Sequence, residues 1–265
     1  SINGLVVEAG RSNVGSGFST INLAGAHTVA PAVFSQVESA NNEIAPNDTM
    51  ALVTRTRNIG TGSFQLQIQN QEATTGSIPA ESVGWIAATP GQGYLNGRPF
   101  SIVKTPRAVD ELNYTVNFGG LLRNAGFIAN QQSRFGGDVC RIRFRNPTDT
   151  SVDIWLEEEA SGDTEIEHTT EETAVWAIGE AYGETDSKIQ YFPVQLTGNW
   201  STVDFGTAHT YTNPIIVMGP PSTAGGDNST VRVRNITATS FEAQIDEWDY
   251  RDGGHTTETV GVFIM

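Results

Sequence analysis

One ten-residue phrase occurs three times in this chain. Residues 55–64 read RTRNIGTGSF, residues 143–152 read RFRNPTDTSV, and residues 232–241 read RVRNITATSF. The leading arginines, Arg55, Arg143 and Arg232, lie 88 and 89 residues apart, and three such periods fill nearly all of the 265 residues. A unit of that size is long enough to close its own core. The repeat therefore predicts three tandem units, 1–91, 92–180 and 181–265, with joints near the Gly- and Pro-bearing stretches 89–94 and 179–188.

Other landmarks recur in the same order. The segment FSTINLAGAHTVAPAVFSQ (18–36) matches WSTVDFGTAHTYTNPIIVMGP (200–220), with a looser version in YTVNFGGLLRNAGFIANQQ (114–132). Each unit closes on an apolar run led by glutamate: ESVGWIAA (81–88), ETAVWAIG (172–179) and ETVGVFIM (258–265). Each opens on a further strand-like run, GLVVEAG, RPFSIVKT or IQYFPVQ. Strict alternation marks the arginine segments as strands. Val231 and Val233 point one way, with Arg232 and Arg234 the other; Ile142 and Phe144 oppose Arg141, Arg143 and Arg145. Phe241, Ala243 and Ile245 share a face of the next strand. The closing runs are apolar on both faces, as buried strands are, which predicts a central position for the strand ending at Met265. Gly, Pro, Asn and Asp fall between these runs, and no long amphipathic helix is legible. The fold class is all-β: three small antiparallel β-sandwiches.

Composition narrows the function. The formal net charge is −15, and only Lys104 and Lys188 are lysines. Such a surface repels a phosphate backbone and an anionic bilayer, so nucleic acid is not an expected partner. The acidity fits a saline or extracellular setting. No apolar run approaches the roughly 18 residues of a spanning helix, so membrane insertion is not expected. No leader peptide is legible, which does not make the chain cytosolic. Cys140 is the single cysteine, so an intrachain disulfide and a thiolate-rich zinc site are both excluded; the alternation of DVCRIRF makes it a small core residue.

The order aromatic-x-x-Val-x-Phe, Pro-Ile-Ile-Val, Arg-x-x-Asn-Ile-Thr-x-x-x-Phe, a Trp seven residues on, and an apolar last strand resembles the H-type lectin domain of snail agglutinins and discoidins. It also resembles related tandem modules of large secreted bacterial proteins. The resemblance covers most of each unit. It implies a six-stranded antiparallel sandwich that associates as a trimer, so that three copies in one chain would form a pseudo-trimer. It also implies a glycan or polysaccharide ligand near the interfaces. Snail-type members contact sugar through an Arg nine residues before the turn-closing Phe, a spacing that falls on Arg232, Arg55 and Arg143. They add a Trp and a following His. The third unit has Trp248 but Asp249 in place of His; the first has Gln71 and Glu72, and the second Glu159 and Ala160. The implied carbohydrate-binding set is Arg232, Trp248, Asp249, Arg55 and Arg143.

Arginine offers a rigid fork of donors to vicinal hydroxyls, and Trp an apolar plate. An arginine ladder on a solvated or interface face, with Trp248 packed over its own loop, would read identically in sequence. The acidic loop Glu157–Glu172 holds Glu157, Glu158, Glu159, Asp163, Glu165, Glu167, Glu171 and Glu172. Calcium takes six to eight oxygens, but the EF-hand order is absent, and a solvated acidic face explains the loop without a metal; the same holds for GGDNS (225–229). No cofactor is expected otherwise. His168 and His255, each three residues before a Glu, recur at one place and predict a loop brace, as do His27 and His209. Asp246, Glu247 and Asp249 supply the paired carboxylates of a glycosidase only in the sense that any acidic sequence does. With no nucleophile or phosphate-loop motif, the chain is not expected to be an enzyme. Five Asn-x-Ser/Thr sequons stand at Asn47, Asn113, Asn199, Asn228 and Asn235. Two readings stay open: a secreted or cell-surface carbohydrate-binding adhesion protein, or a structural protein of a virion, filament or matrix whose modules pack against one another or against protein partners.

Overall fold

The alternating segments fold as two-faced strands, and the Asn after each arginine pair turns the chain. In the computed structural model, Asn58, Asn146 and Asn235 sit at φ 50°, 48° and 52°, a left-handed conformation that Asn tolerates better than most residues. Each side-chain amide then donates across the new hairpin, to Gln65 at 2.9 Å, Asp153 at 3.0 Å and Glu242 at 2.9 Å. The structure describes residues 5–25, 27–45, 48–95, 97–182, 189–206 and 211–265. Asn47, His209 and most of the joint at 179–188 lie outside them.

The first repeat contains β1 (Val7–Val14), β2 (Ser19–Asn22), β3 (Ala32–Val37), the short pair β4 (Glu43–Ala45) and β5 (Asp48–Thr49), β6 (Val53–Arg57), β7 (Ser63–Gln69) and β8 (Glu81–Ala88). The second contains β9 (Gly91–Leu95), β10 (Arg98–Lys104), β11 (Tyr114–Asn117), β12 (Gly126–Gln131), β13 (Cys140–Arg145), β14 (Ser151–Glu158) and β15 (Thr173–Ile178). The third contains β16 (Gln190–Leu196), β17 (Ser201–Asp204), β18 (Ile216–Met218), β19 (Ser229–Arg234), β20 (Ser240–Glu247) and β21 (Glu258–Ile264). Among the described residues there is no helix.

One antiparallel layout occurs three times. In one sheet the closing strand lies in the middle: β1-β8-β3, β12-β15-β10 and β16-β21-β18. The arginine strand is an edge of the other: β2-β7-β6, β11-β14-β13 and β17-β20-β19. Thus β21 is central, as its apolar faces predict. The stretch 89–94, read as a joint, leads into β9, which pairs with β10 and extends that sheet to four strands.

Each pair of sheets shares one core, for example Val203, Val231, Val233, Phe241, Ala243, Val260 and Val262 in the third. The other faces of β8, β15 and β21 meet in a fourth core drawn from all three repeats, including Phe34, Ile86, Trp176, Val217 and Phe263. Both faces of each closing strand are therefore buried. Aligning these strands on Glu81, Glu172 and Glu258 misplaces the second by one residue. The serine contacts described below equate Glu81, Glu171 and Glu258. A one-residue slip exchanges the faces of a strand: Trp85 lies in the core of its own repeat, whereas Trp176 lies in the shared centre.

Candidate functional site

At the start of each closing strand a glutamate is held by donors from a neighbouring loop. Ser39 donates to Glu81, Ser133 to Glu171 and Ser222 to Glu258. Paired backbone amides complete each nest: Asn41 and Asn42 on Glu81, Phe135 and Gly136 on Glu171, Ala224 and Gly225 on Glu258. Each serine oxygen also accepts the amide one residue after its glutamate: Ser82, Glu172 and Thr259. A buried carboxylate needs such partners, which explains why the acid recurs.

The arginines expected to face outward toward sugar close the repeats onto one another. Arg55 of the first repeat donates to Glu171 of the second at 3.0 Å and to the Asp138 carbonyl at 3.0 Å. Arg143 of the second donates to the Gly225 carbonyl of the third at 3.1 Å, while its other nitrogen holds Glu157 of its own repeat at 3.0 Å. Arg232 of the third returns to the first, donating to Glu81 at 3.1 Å, the Ser39 carbonyl at 2.8 Å and the Met50 carbonyl at 2.6 Å. Arg55 and Arg232 are 0% exposed and Arg143 5%. The side chains leave their own cores as alternation predicts, and the next repeat covers them, so they are closed off from solvent. Burial pulls the Arg232 guanidinium down, against the pull of Glu81 and Asp246.

Trp248 is likewise buried, 1% exposed, among Ala51 of the first repeat and Val139 of the second. Its ring is not offered to solvent as a sugar plate. Asp249 accepts the Ala51 amide at 3.4 Å. Trp248 and Asp249 thus belong to the same closure as the arginines.

The histidines brace loops within their own repeats, two of them against the nested glutamates. His168 Nδ1 lies 2.6 Å from Glu158, and its Nε2 lies 3.2 Å from Cys140 Sγ and 3.7 Å from Glu171. Cys140 is buried and also receives Gln131 Nε2 at 3.0 Å. Burial acts to lower His168, but its contacts with Cys140, Glu171 and Glu158 outweigh it and carry the imidazole up to about 10. Burial acts to raise Glu171, but hydrogen bonds from His168, Ser133, Phe135 and Gly136 hold it near about 2. In the third repeat His255 contacts Glu247 at 2.7 Å and Glu258 at 3.2 Å. The first repeat has Ile78 at this place, eight residues before Ile86 as His168 and His255 precede Trp176 and Phe263. His27 is buried and lies 3.5 Å from Thr89 Oγ1.

The first three acidic-loop carboxylates face protein donors, while Asp163, Glu165 and Glu167 are exposed. Glu157 pairs with Arg141 and Arg143, Glu158 with His168, and Glu159 accepts the Glu72 amide at 2.7 Å and Ser161 Oγ at 2.8 Å. In the GGDNS stretch, Gly225 and Ser229 serve the junction with the second repeat. No group of three or more metal-ligating side chains is gathered among the described residues.

A cavity of about 90 Å³ lies where the three repeats converge, lined among others by Ser35, Thr54, Asn130, Cys140, Arg141 and Thr230. That is well below the roughly 300 Å³ at which small-molecule pockets begin. Gly219 also lines it, as do Gln36 and Asn130, and a Cβ on Gly219 would meet the Phe127 carbonyl at 2.9 Å.

Sequence reasoning missed the second arginine of each phrase. Arg57 lies over Phe18 at 3.7 Å, Arg234 over Trp200 at 4.0 Å, and Arg145 near Trp155 at 5.4 Å. These half-buried or exposed stacks occupy the outer surface. The aligned Phe18 and Trp200 were the available signal, but only folding brings them under the arginines.

No family model matches the chain, and no solved structure matches it. The chain is similar to halomucin of Haloquadratum walsbyi, with 27% identity over 237 residues. The alignment takes in 88% of this chain and 2% of the length of that protein.

Proposed function

We propose that the chain is a non-catalytic structural module of an extracellular assembly, in which three H-type-lectin-like sandwiches close around one centre as a pseudo-trimer within a single chain. The observation that carries this reading is the ring of buried arginines, Arg55 to Glu171, Arg143 to Gly225 and Arg232 to Glu81. Residues that a lectin would present to sugar are used here for internal closure. The −15 net charge and the similarity to a stretch of a protein named as a mucin support a location outside the cell. Partners are then neighbouring proteins or further modules of a longer chain.

A second reading, glycan binding, is favoured by the three surface stacks, each an aromatic plate beside an arginine fork. A glycan and polysaccharide array probed with wild type, Trp200→Ala and Arg232→Lys separates the two. The structural reading expects silence across the array from folded protein. A signal lost in Trp200→Ala and kept in Arg232→Lys transfers the conclusion to the surface stacks. A signal lost in Arg232→Lys with the melting curve unchanged overturns the closure reading.

A further inference from the structure

We infer that Asn199 is an acceptor for an N-linked glycan, the one described sequon asparagine of this chain whose side chain is exposed and makes no hydrogen bond among the described residues. The inference rests on the extracellular location proposed above. The glycan of an Asn-x-Ser/Thr sequon is joined to the amide nitrogen and is bulky, so the sites can be sorted by whether the folded chain has room for a substituted nitrogen there.

Asn228 is 5% exposed and donates its amide to the Glu158 carbonyl at 2.8 Å. Asn235 donates to Glu242 at 2.9 Å and holds the left-handed turn. Asn113 accepts from Arg145 through its side-chain oxygen at 3.0 Å. Asn199 differs from all three. It is exposed, in the turn between β16 and β17, and its side chain makes no hydrogen bond among the described residues.

Its backbone is nonetheless anchored. The Asn199 amide N–H donates to Thr197 Oγ1 at 3.3 Å, and Ser201 Oγ donates to the Asn199 carbonyl at 3.4 Å. The middle residue, Trp200, is pinned beneath Arg234 at 4.0 Å. The hydroxyl residue, Ser201, opens β17, an edge strand. A free amide on an anchored turn beside a sheet edge lets a bulky substituent project into solvent without breaking a ladder hydrogen bond or a junction.

The co-reactant is an oligosaccharide joined through C1 to a polyprenyl phosphate or diphosphate. In the transfer, catalysed by an oligosaccharyltransferase, the Asn199 amide nitrogen forms a bond to C1 as the C1–O bond breaks. The lipid phosphate leaves with the electron pair, and the amide proton passes to a base of the transferase. No oxidant or reductant is needed.

The test is secretion of the full chain from a eukaryotic cell, followed by glycopeptide mass spectrometry of the folded product. The expected result is a glycan on the Asn199 peptide, lost completely in both Asn199→Gln and Ser201→Ala, with the Asn228 peptide unmodified. An unmodified Asn199 peptide from folded, secreted protein overturns the inference. So does a glycan confined to Asn113 or Asn235 and unchanged in Asn199→Gln. Both variants alter exposed or half-buried surface positions, so loss of glycan with an unchanged melting curve reports the site rather than the fold. In protein from its native source, a bare Asn199 beside modification in the secretory cell would count against the extracellular location and leave the acceptor assignment standing.

Discussion

The junction between the first and second repeats and that between the second and third answer one structural demand with different chemistry. At the first, Arg55 and Glu171 form an ion pair whose side chains are both fully buried. At the second, Arg143 reaches only a backbone carbonyl across the junction, and its charge is balanced within its own repeat by Glu157, whose side chain is 26% exposed. Glu258, the counterpart of Glu171, keeps the same nest and a histidine, His255, at 3.2 Å, but no arginine pairs with it among the described contacts. What stays constant is the serine-and-amide nest around the glutamate and an arginine reaching the next repeat. The counter-charge is interchangeable. A pair sealed from water contributes little net stability but is costly to break, since the survivor is left as a buried lone charge.

That contrast predicts unequal losses. Arg55→Ala should cost about 3 kcal/mol, the low end for a broken buried pair, because Glu171 stays buried with only His168 as counter-charge. Arg143→Ala should cost on the order of 1–2 kcal/mol, because Glu157 keeps Arg141 and partial solvation. Chemical denaturation of the two variants side by side measures the difference; equal losses would dissolve the distinction between the junctions.

The pH dependence sharpens it further. His168 faces Glu158, Glu171 and Cys140, and Arg55 bonds the last two of these. Its folded value of about 10 lies above the ordinary 6.5, so its contribution is whole below 6.5 and is lost as pH rises through 10. Stability of His168→Gln should therefore vary less than wild type across that interval, read as melting temperature against pH.

A smaller effect is expected at the contact between the first and third repeats. Burial pushes Glu38 up to about 7 from 4.5, against the pull of Arg11 and the Ile216 amide. Its contribution is present below 4.5 and lost as pH rises through 7. Glu38→Gln should flatten the stability profile in that window and leave the alkaline slope unchanged.

Much of the fold was legible because a strand's two-residue period is local. Val231, Val233 and Phe241 declare an inward face, and the Asn after each arginine pair declares a turn. What covers the outward face is not local. Nothing in RVRNITATSF distinguishes an arginine in water from one lodged against the next repeat, since the covering residues, Ser39, Met50 and Glu81, lie more than 150 positions away. The register of ETAVWAIG failed for a related reason. Two adjacent glutamates offered two alignments, and only Ser133, which donates to Glu171, selects between them. The surface stacks were missed because Phe18 and Arg57 meet only through the pairing of β2, β7 and β6.

Trp248 shows what covalent fusion permits. It fills the point where Ala51 and Val139 converge, while its counterparts in the other repeats, seven residues after Phe64 and Val152, are Gln71 and Glu159. In a ring of identical chains, symmetry delivers every axial side chain in triplicate, and three indoles would contend for the volume of one. Writing the three copies into one gene lifts that constraint. Each seam is then free to drift by itself, so a single large residue can serve as a keystone that a homotrimer could not evolve by point substitution.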